Sequence, residues 1–590
     1  MTNPPEADQP NLATRIRSLP AIGRTGATHL YYKIQAVHAA QAMDRSGLYG
    51  WLDAVLTASG ARYEIDCPKD FVCPAQGPLI IVANHPFGLK DPLVLGHYFS
   101  KMRQDLRIVA NPSLRSISEL RDYLITADDS SMDDGFIPVE PTVAHLEAGG
   151  AVMLFPSGQV ARYRPGQGVR EAAWSKRLGE LVLRTGANVV PVHFSGSNSV
   201  LFHTAQLLHP KLGPSLLVRE FLTAKKKPIP MKIGQVITAA RLKKYADPDA
   251  LTQYLRLHTM VLSQRGSTNR KPLATVPNTP PAMVEDAPET LRSEVAELRA
   301  RGNRLVAQGT LEVFAAAAWE IPAGLREIGK LREITFRAVG EGTGNDIDLD
   351  PFDAYYEHLF LWDEAAGKIA GAYRLGRADQ ILRKYGARGL YTNTLFRFQQ
   401  PFLDHLHDAV EMGRSFIRPE YQRQLSALPL LWRGIAQWIG RHPHYTKLFG
   451  PVSISQDYDP VSRRLIVEYL TNNRSDAQLA GSVRPRKPFK CKNARSLLRE
   501  IVSTSLTDAE DCSAVISSVE ADGKGLPVLL KHYLKLNGTI LSFNVDKNFS
   551  SVLDGLILVD LRKTDPRLLT KMMGSDLLAD YQRHHGLSPL

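Results

Sequence analysis

Between residues 75 and 240 the chain alternates short, wholly apolar runs with stretches in which apolar residues return every three or four positions. The runs Leu79–Ala83 (LIIVA), Leu106–Ala110, Gly135–Val139, Ala151–Phe155 (AVMLF), Val189–Ser195 (VVPVHFS) and Met231–Val236 predict strands. Helical patterns lie between them, at Thr142–Glu147 and Trp174–Thr185. Strand and helix in alternation predict an α/β layer. The second half opens on a helical stretch, Leu291–Gln308. Strands follow at Leu359–Asp363, Ile369–Leu375, Ala409–Ser415 and Lys447–Ser453, with a helix at Leu428–Arg441. Between the halves, Ser267–Pro288 is rich in Pro, Thr, Asn and Ala and has no apolar period. It predicts a linker, with one domain over residues 1–266 and another over residues 289–590.

Composition narrows the class. The 590 residues are 44% apolar and 22% charged, which suits globular domains. No apolar run reaches the roughly 18 residues that a membrane-spanning helix needs. The first twenty residues lack the apolar centre of a signal peptide, which predicts a cytoplasmic protein. Cys67, Cys73, Cys491 and Cys512 form no CxxC pair, so reduced thiols and no metal site are expected. The net charge of +12 suits nucleic acid, an anionic membrane face or an acidic carrier protein. No nucleic-acid-binding signature is present, so nucleic acid is not an expected partner. Leu216–Met231 sets apolar residues beside three consecutive lysines, which reads as an interfacial anchor or as a solvated helix end.

The first chemical centre is NHPFGLKD, Asn84 to Asp91, directly after the LIIVA strand. Ligands of open α/β sheets bind at the carboxyl ends of strands. A histidine followed closely by an aspartate, on a turn shaped by Pro86 and Gly88, forms a base with its orienting carboxylate. Asp91 would hold one ring nitrogen of His85, and the other would take a proton from a hydroxyl attacking a thioester.

Three further blocks follow in order: GFIPVEP (Gly135–Pro141), LFPSGQVAR (Leu154–Arg162) and VVPVHFSGSNS (Val189–Ser199). Together the four blocks resemble those of the glycerolipid and lysophospholipid acyltransferases, and of their hemolysin-like branch in particular. The resemblance implies an α/β domain that transfers acyl groups to a hydroxyl, with His85 as base and Asp91 as its partner. It also implies that Asn84, Gly88, Phe155, Pro156, Ser157 and Gly158 bind substrate. Three departures stand out. Five residues rather than four separate His85 from Asp91, Ser157 replaces the usual glutamate, and Pro138–Glu140 lacks the usual arginine. The altered second and third blocks point to an acceptor without a phosphate.

The second centre is AVEMGRSF, with Glu411 and Arg414. Alone, these two read as a structural ion pair. Upstream lie LREITFR (Leu331–Arg337), DPFDAYYEHLFLWD (Asp350–Asp363) and IAGAYRLG (Ile369–Gly376). With these the segment resembles the ornithine-acyl carrier protein N-acyltransferases and, more distantly, the autoinducer synthases. The resemblance implies a GNAT-like α+β domain in which Arg332, Phe336, Asp353, Arg374, Glu411 and Arg414 occupy the active site. Glu411 would serve as the base that deprotonates an α-amino group. Arg374 or Arg414 would bind a carboxylate, and Asp353 would hold a cationic side chain. YQRQLSALP lacks the glycines of a pyrophosphate loop. That favours acyl carrier protein over coenzyme A as acyl donor.

The whole chain resembles the bifunctional ornithine lipid synthases of bacteria. The resemblance implies N-acylation of ornithine with a 3-hydroxyacyl chain, then O-acylation of the lyso-ornithine lipid. It implies no permanently bound cofactor and peripheral placement on the inner face of the cytoplasmic membrane. Three other readings stay open: a different head group such as glycine, acylation of lysophosphatidate with an accessory GNAT-like domain, and a non-catalytic membrane-binding protein.

Overall fold

The computed structural model describes residues 47–126, 137–164, 166, 168–208, 220, 227–266, 288–424, 426–490, 506, 508–546, 549 and 551–587. The N-terminal 46 residues, Cys491, all of Ser267–Pro288 except Pro288, and most of Leu216–Met231 lie outside these. The chain forms two compact units. The first holds residues up to Ser267 and takes in Ala514–Lys524 from far downstream; the second holds most of the rest. Within the first unit, Arg265 Nε donates to Ser518 O at 3.0 Å.

The first unit carries strands β1 (Tyr63–Asp66), β2 (Leu79–Ala83), β3 (Leu106–Val109), β4 (Leu124–Ile125), β5 (Ala151–Leu154), β6 (Asn188–Phe194) and β7 (Ile229–Ile233). Their order in the sheet is β1-β7-β6-β2-β5-β3-β4, parallel except for the β6–β7 pair. Every residue of β2 and β5 is buried, as uninterrupted apolar runs require of central strands. Helix α1 (Lys90–Ser100) follows β2, and helix α2 (Val139–Glu147) precedes β5. Of the strand expected at Gly135–Val139, the described residues do not form one: Ile137 and Pro138 are irregular and Val139 begins α2, while Gly135 and Phe136 lie outside the described residues. Pro141 sits in that helix's first turn, where its missing N–H costs nothing.

The second unit carries β8 (Arg304–Gln308), β9 (Leu311–Ala317), β10 (Glu357–Asp363), β11 (Lys368–Arg377), β12 (Ala409–Ile417), β13 (Lys447–Ile454), β14 (Thr539–Asp546) and β15 (Val552–Asp560). Their order is β8-β9-β10-β11-β12-β13-β15-β14, antiparallel except for the β12–β13 pair. Helix α3 (Pro322–Ala338) lies between β9 and β10 in the chain, and α4 (Ala427–Arg441) between β12 and β13. Leu331, Phe360, Trp362 and Phe314 form part of one core cluster. The helix expected over Leu291–Gln308 spans Pro288–Ala300. Gly302 adopts φ 78° and Asn303 N–H reaches back to Leu298 O at 3.0 Å, a left-handed stop that frees RLVAQ to become β8. Among the described residues, no helix is long and apolar enough to cross a membrane.

Candidate active sites

In the first unit, Asn84 follows β2 and ties it to the end of β6. Its Nδ2 donates to Phe194 O at 2.9 Å and its Oδ1 accepts the Phe194 N–H at 2.7 Å. His85 is therefore held at the carboxyl edge of the sheet. Gly88, with φ 78°, turns the chain so that Asp91, in the first turn of α1, returns to His85. Asp91 Oδ2 lies 2.9 Å from His85 Nδ1 and accepts the N–H groups of Phe87 at 2.9 Å and Gly88 at 3.1 Å. The extra residue between His85 and Asp91 is taken up in this turn. Asp91 is fully buried, while the His85 side chain keeps 17% exposure. Burial raises the Asp91 carboxyl, opposed by the bonds from His85, Phe87 and Gly88. With Nδ1 on Asp91, Nε2 is the nitrogen left for a substrate hydroxyl.

The Phe155 ring packs on the His85 imidazole at 4.4 Å. Ser157 Oγ lies 2.8 Å from Glu171 Oε1. That same oxygen accepts the His85 N–H at 2.9 Å, and Trp174 Nε1–H donates to Glu171 Oε2 at 3.0 Å. A carboxylate is thus present beside Ser157 after all, supplied fourteen positions downstream. Glu171 lies outside the four blocks, so no motif marks it in the sequence. The available signal was an acid next to the apolar run Ala172–Trp174. Burial pushes the Glu171 carboxyl up, opposed by Trp174, Ser157 and the His85 N–H.

Glu171→Ala should strand the His85 and Trp174 donors, at about 1–3 kcal/mol each. The loosened histidine should lower O-acyl transfer about a hundredfold. Glu171→Gln, which keeps an acceptor for His85, should lose far less. Single-turnover acyl transfer to supplied lyso-lipid measures both, and an undiminished rate in Glu171→Ala would remove this support role.

In the second unit the structure brings Arg332, Asp353, Arg374 and Arg414 together. Arg332 Nη1 donates to Asp353 Oδ1 at 2.8 Å. Arg374 Nη1 reaches Asp350 Oδ1 at 2.6 Å and Asp353 Oδ1 at 3.1 Å. The Arg374 guanidinium packs over the rings of Phe352, Tyr356 and Tyr391 at 5.7, 5.1 and 5.1 Å. Burial works against the charged form of Asp353, but Arg332 and Arg374 hold its carboxyl well below the usual range.

These contacts bear on three expectations. Arg332 and Arg374 are 0% and 1% exposed and already face aspartates, and neither lines the cavity described next. Asp353, expected to hold a substrate cation, is 2% exposed and holds those two arginines. Glu411, the expected base, is likewise held by bonds of its own. It is 1% exposed and accepts from Tyr356 Oη–H and from the N–H groups of Tyr391 at 3.1 Å and Thr392 at 2.6 Å. Its carboxylate anchors the 391–392 loop and does not line the cavity described next.

That cavity opens where two strands part. β12 and β13 pair in parallel over three positions only, ending at Glu411↔Phe449. The β11–β12 register then slips between Ala372↔Phe416 and Arg374↔Gly413, so Arg414 and Ser415 share one partner, Tyr373. Arg414 sits at φ 50°, a strained value for a side-chain-bearing residue. Such a bulge re-aims side chains. Past it, Gly413, Arg414 and Ser415 on one strand and Pro451 and Ser453 on the other line a cavity of about 190 Å³. Phe336, Glu341, Tyr391, Asp546 and Asp554 line it too. Arg414 packs between the rings of Tyr391 (5.1 Å) and Phe549 (5.3 Å). Its ion contacts, to Asp348 and Asp350, are long at 3.4 and 3.5 Å. Its Nε has no hydrogen-bond partner among the described residues. Of the expected residues, Arg414 and Phe336 therefore reach the cavity.

The cavity's acids were not read from the sequence. Burial pushes the Glu341 carboxyl up to about 7, with Asp554 and Asp457 adding to the rise. Burial likewise pushes Asp554 up to about 7, against the bond from Ser453.

Residues 65–195 match the acyltransferase family, and residues 331–433 match the acetyltransferase (GNAT) domain family. The glycine N(α)-acyltransferase of Bacteroides thetaiotaomicron is 30% identical over 272 residues, 44% of this chain and 79% of that protein. The lyso-glycine lipid O-acyltransferase of Phocaeicola vulgatus is 25% identical over 213 residues, 35% of this chain and 75% of that protein. The 1-acyl-sn-glycerophosphate acyltransferase structure from Thermotoga maritima aligns with a TM-score of 0.25 at 14% identity, over 40% of this chain and 91% of that one.

Proposed function

The chain belongs to the bacterial acyltransferase family that includes glycine N(α)-acyltransferase, and from that membership we propose that it is a bifunctional enzyme of ornithine lipid synthesis. The second unit acylates the α-amino group of ornithine with a 3-hydroxyacyl chain. The first unit then acylates the exposed 3-hydroxyl. Relatives named for the N-acyl and the O-acyl step both match parts of this one chain, which supports the pairing.

In the first unit, His85 Nε2 takes the hydroxyl proton as the oxygen attacks the thioester carbonyl, with Asp91 steadying the imidazolium through Nδ1. The C–O bond forms, the C–S bond breaks, and His85 returns the proton to the thiolate. The acid of Glu171 beside Ser157 favours an acceptor without a phosphate.

The charge of the second unit's cavity carries the choice of ornithine. Glu341, Asp546 and Asp554 line it together with Arg414, the single guanidinium among its described lining residues. Glycine brings one ammonium and one carboxylate, whereas ornithine brings two ammonium groups and one carboxylate. A site with surplus acid suits the second. Arg414 binds the α-carboxylate, and the remaining acids take the side-chain ammonium. Glycine is the rival reading, favoured by the names of the relatives. The acyl donor is a carrier-protein thioester, supported by the glycine-free YQRQLSALP segment and the net charge of +12. The enzyme works as a peripheral protein on the inner membrane face.

The test is mass spectrometry of lipids from a host that makes no aminolipid, before and after expressing the chain. Ornithine lipid is the expected product. Glycine lipid would replace the head-group assignment, and new phosphatidate or an unchanged lipid profile would remove the reading.

A further inference from the structure

The cavity in the second unit leaves N-acyl transfer without the base expected at Glu411. An α-ammonium group is inert toward a thioester until it loses a proton, so some group lining the cavity must accept one. Asp554 lies on β15, in register with Ser453 of β13 on one side and Asn544 of β14 on the other. Cross-strand partners share a face of the sheet, and Asp554 and Ser453 both line the cavity. Ser453 Oγ donates to Asp554 Oδ1 at 2.7 Å, which orients the carboxylate and leaves Oδ2 for a substrate.

A second argument separates Asp554 from Glu341. The α-amino and α-carboxylate groups of an amino acid are attached to one carbon. The base must therefore stand beside the guanidinium that binds the carboxylate. Asp554 is close enough to Arg414 to feel its charge, together with that of Asp546. Arg414 is not among the charges that Glu341 responds to, which are those of Asp554 and Asp457.

We propose that Asp554 is a catalytic residue of N-acyl transfer, the base that takes the proton from the substrate's α-ammonium group. This rests on the reading of the second unit as an N-acyltransferase. The nitrogen loses one proton to Asp554 and attacks the thioester carbonyl carbon. The C–N bond forms and the C–S bond breaks. The nitrogen's second surplus proton ends on the leaving thiolate, and Asp554 releases its own proton to water when the amide departs. One proton is released per turnover. A carboxyl that titrates at about 7 is suited to this exchange near neutral pH.

The experiment uses the full chain with Asp554→Asn and Asp554→Glu, assayed with ornithine and with glycine and a 3-hydroxyacyl carrier-protein thioester. O-acyl transfer to supplied lyso-lipid is the internal control. Asp554→Asn should lower kcat for N-acylation by about 100–10,000-fold, with KM for the amino acid changing far less. Asp554→Glu should recover part of the rate. In the wild type, kcat/KM should fall as pH drops through about 7, because the base becomes protonated. That limb should vanish from the residual activity of Asp554→Asn and move in Asp554→Glu. A structural residue would move the melting temperature and leave the limb in place. Asp554→Asn within about threefold of wild type, or an unmoved limb in either variant, would overturn the assignment. If Asp554→Asn fails to fold, the limb in Asp554→Glu decides. A wild-type chain that acylates neither amino acid would sink the function itself, and the base with it. A wild type that acylates, with an equally active Asp554→Asn, would sink the base alone.

Discussion

Cells carrying His85→Ala are expected to accumulate the mono-acylated lyso-lipid and to lose the di-acylated product. His85 is the imidazole that Asp91 holds at 2.9 Å. Alanine removes the base and leaves Asp91 buried without its partner. Loss of a general base costs about 100–10,000-fold in rate. Asp91 still accepts the Phe87 and Gly88 N–H groups, so the turn should survive. N-acylation is a separate chemistry in the second unit and should continue at the wild-type rate. Lipid extracts read out both steps at once. Full retention of the di-acylated lipid would show that His85 is not the base. Loss of both lipids would show that the first unit also serves the N-acyl step.

The second large effect falls on stability. Arg374→Met should destabilise the second unit by about 3–5 kcal/mol, the cost of breaking a buried ion pair by removing one partner. Arg374 is 1% exposed. Burial works against its charge, and Asp353 and Asp350 more than offset that. Without it, Asp350 keeps Arg414 at 3.5 Å as its ion-pair partner and Asp353 keeps Arg332, beside one backbone N–H each. The rings of Phe352, Tyr356 and Tyr391 also lose the cation they surround. A calorimetric scan should show the second unit's transition lowered by roughly 10 °C, with N-acyl transfer failing because the unit melts. Arg414→Met, at a partly exposed residue with long ion contacts, should instead cost much of the N-acyl activity with little change in melting. A transition in Arg374→Met within about two degrees of wild type would mean the network is dispensable.

Much of the framework was legible in the sequence because it depends on neighbours a few positions away. LIIVA, AVML and VVPVHF became buried strands in the sheet of the first unit. His85 and Asp91 sit on one turn, and Gly88 between them supplies the backbone conformation that joins them. Two local errors have local causes. A β-branched residue after Pro138 read as strand, although Pro141 suits the first turn of a helix. A helical period carried the reading past Gly302, where the chain reverses into β8.

Through-space pairing of like side chains was not legible. Arg332, Arg374 and Arg414 are three arginines in resembling blocks, and the sequence gives no means of ranking them. In the fold, Asp350 and Asp353 engage Arg374, Asp353 engages Arg332, and a bulge at φ 50° turns Arg414 toward the cavity. Glu411 looked like a base because it is an acid in the right block. Its three hydrogen-bond donors come from positions 19 to 55 residues away. Glu171 and Asp554 lie outside every block, yet the folded chain bonds one to the His85 N–H and sets the other in the cavity that Arg414 lines. Periodicity and turn chemistry act over one or two turns of backbone, so the sequence by itself determined the strands, their burial and the His85–Asp91 pair. Burial and charge pairing depend on the whole sheet, and only the tertiary structure decided which acids and which arginine line the cavity.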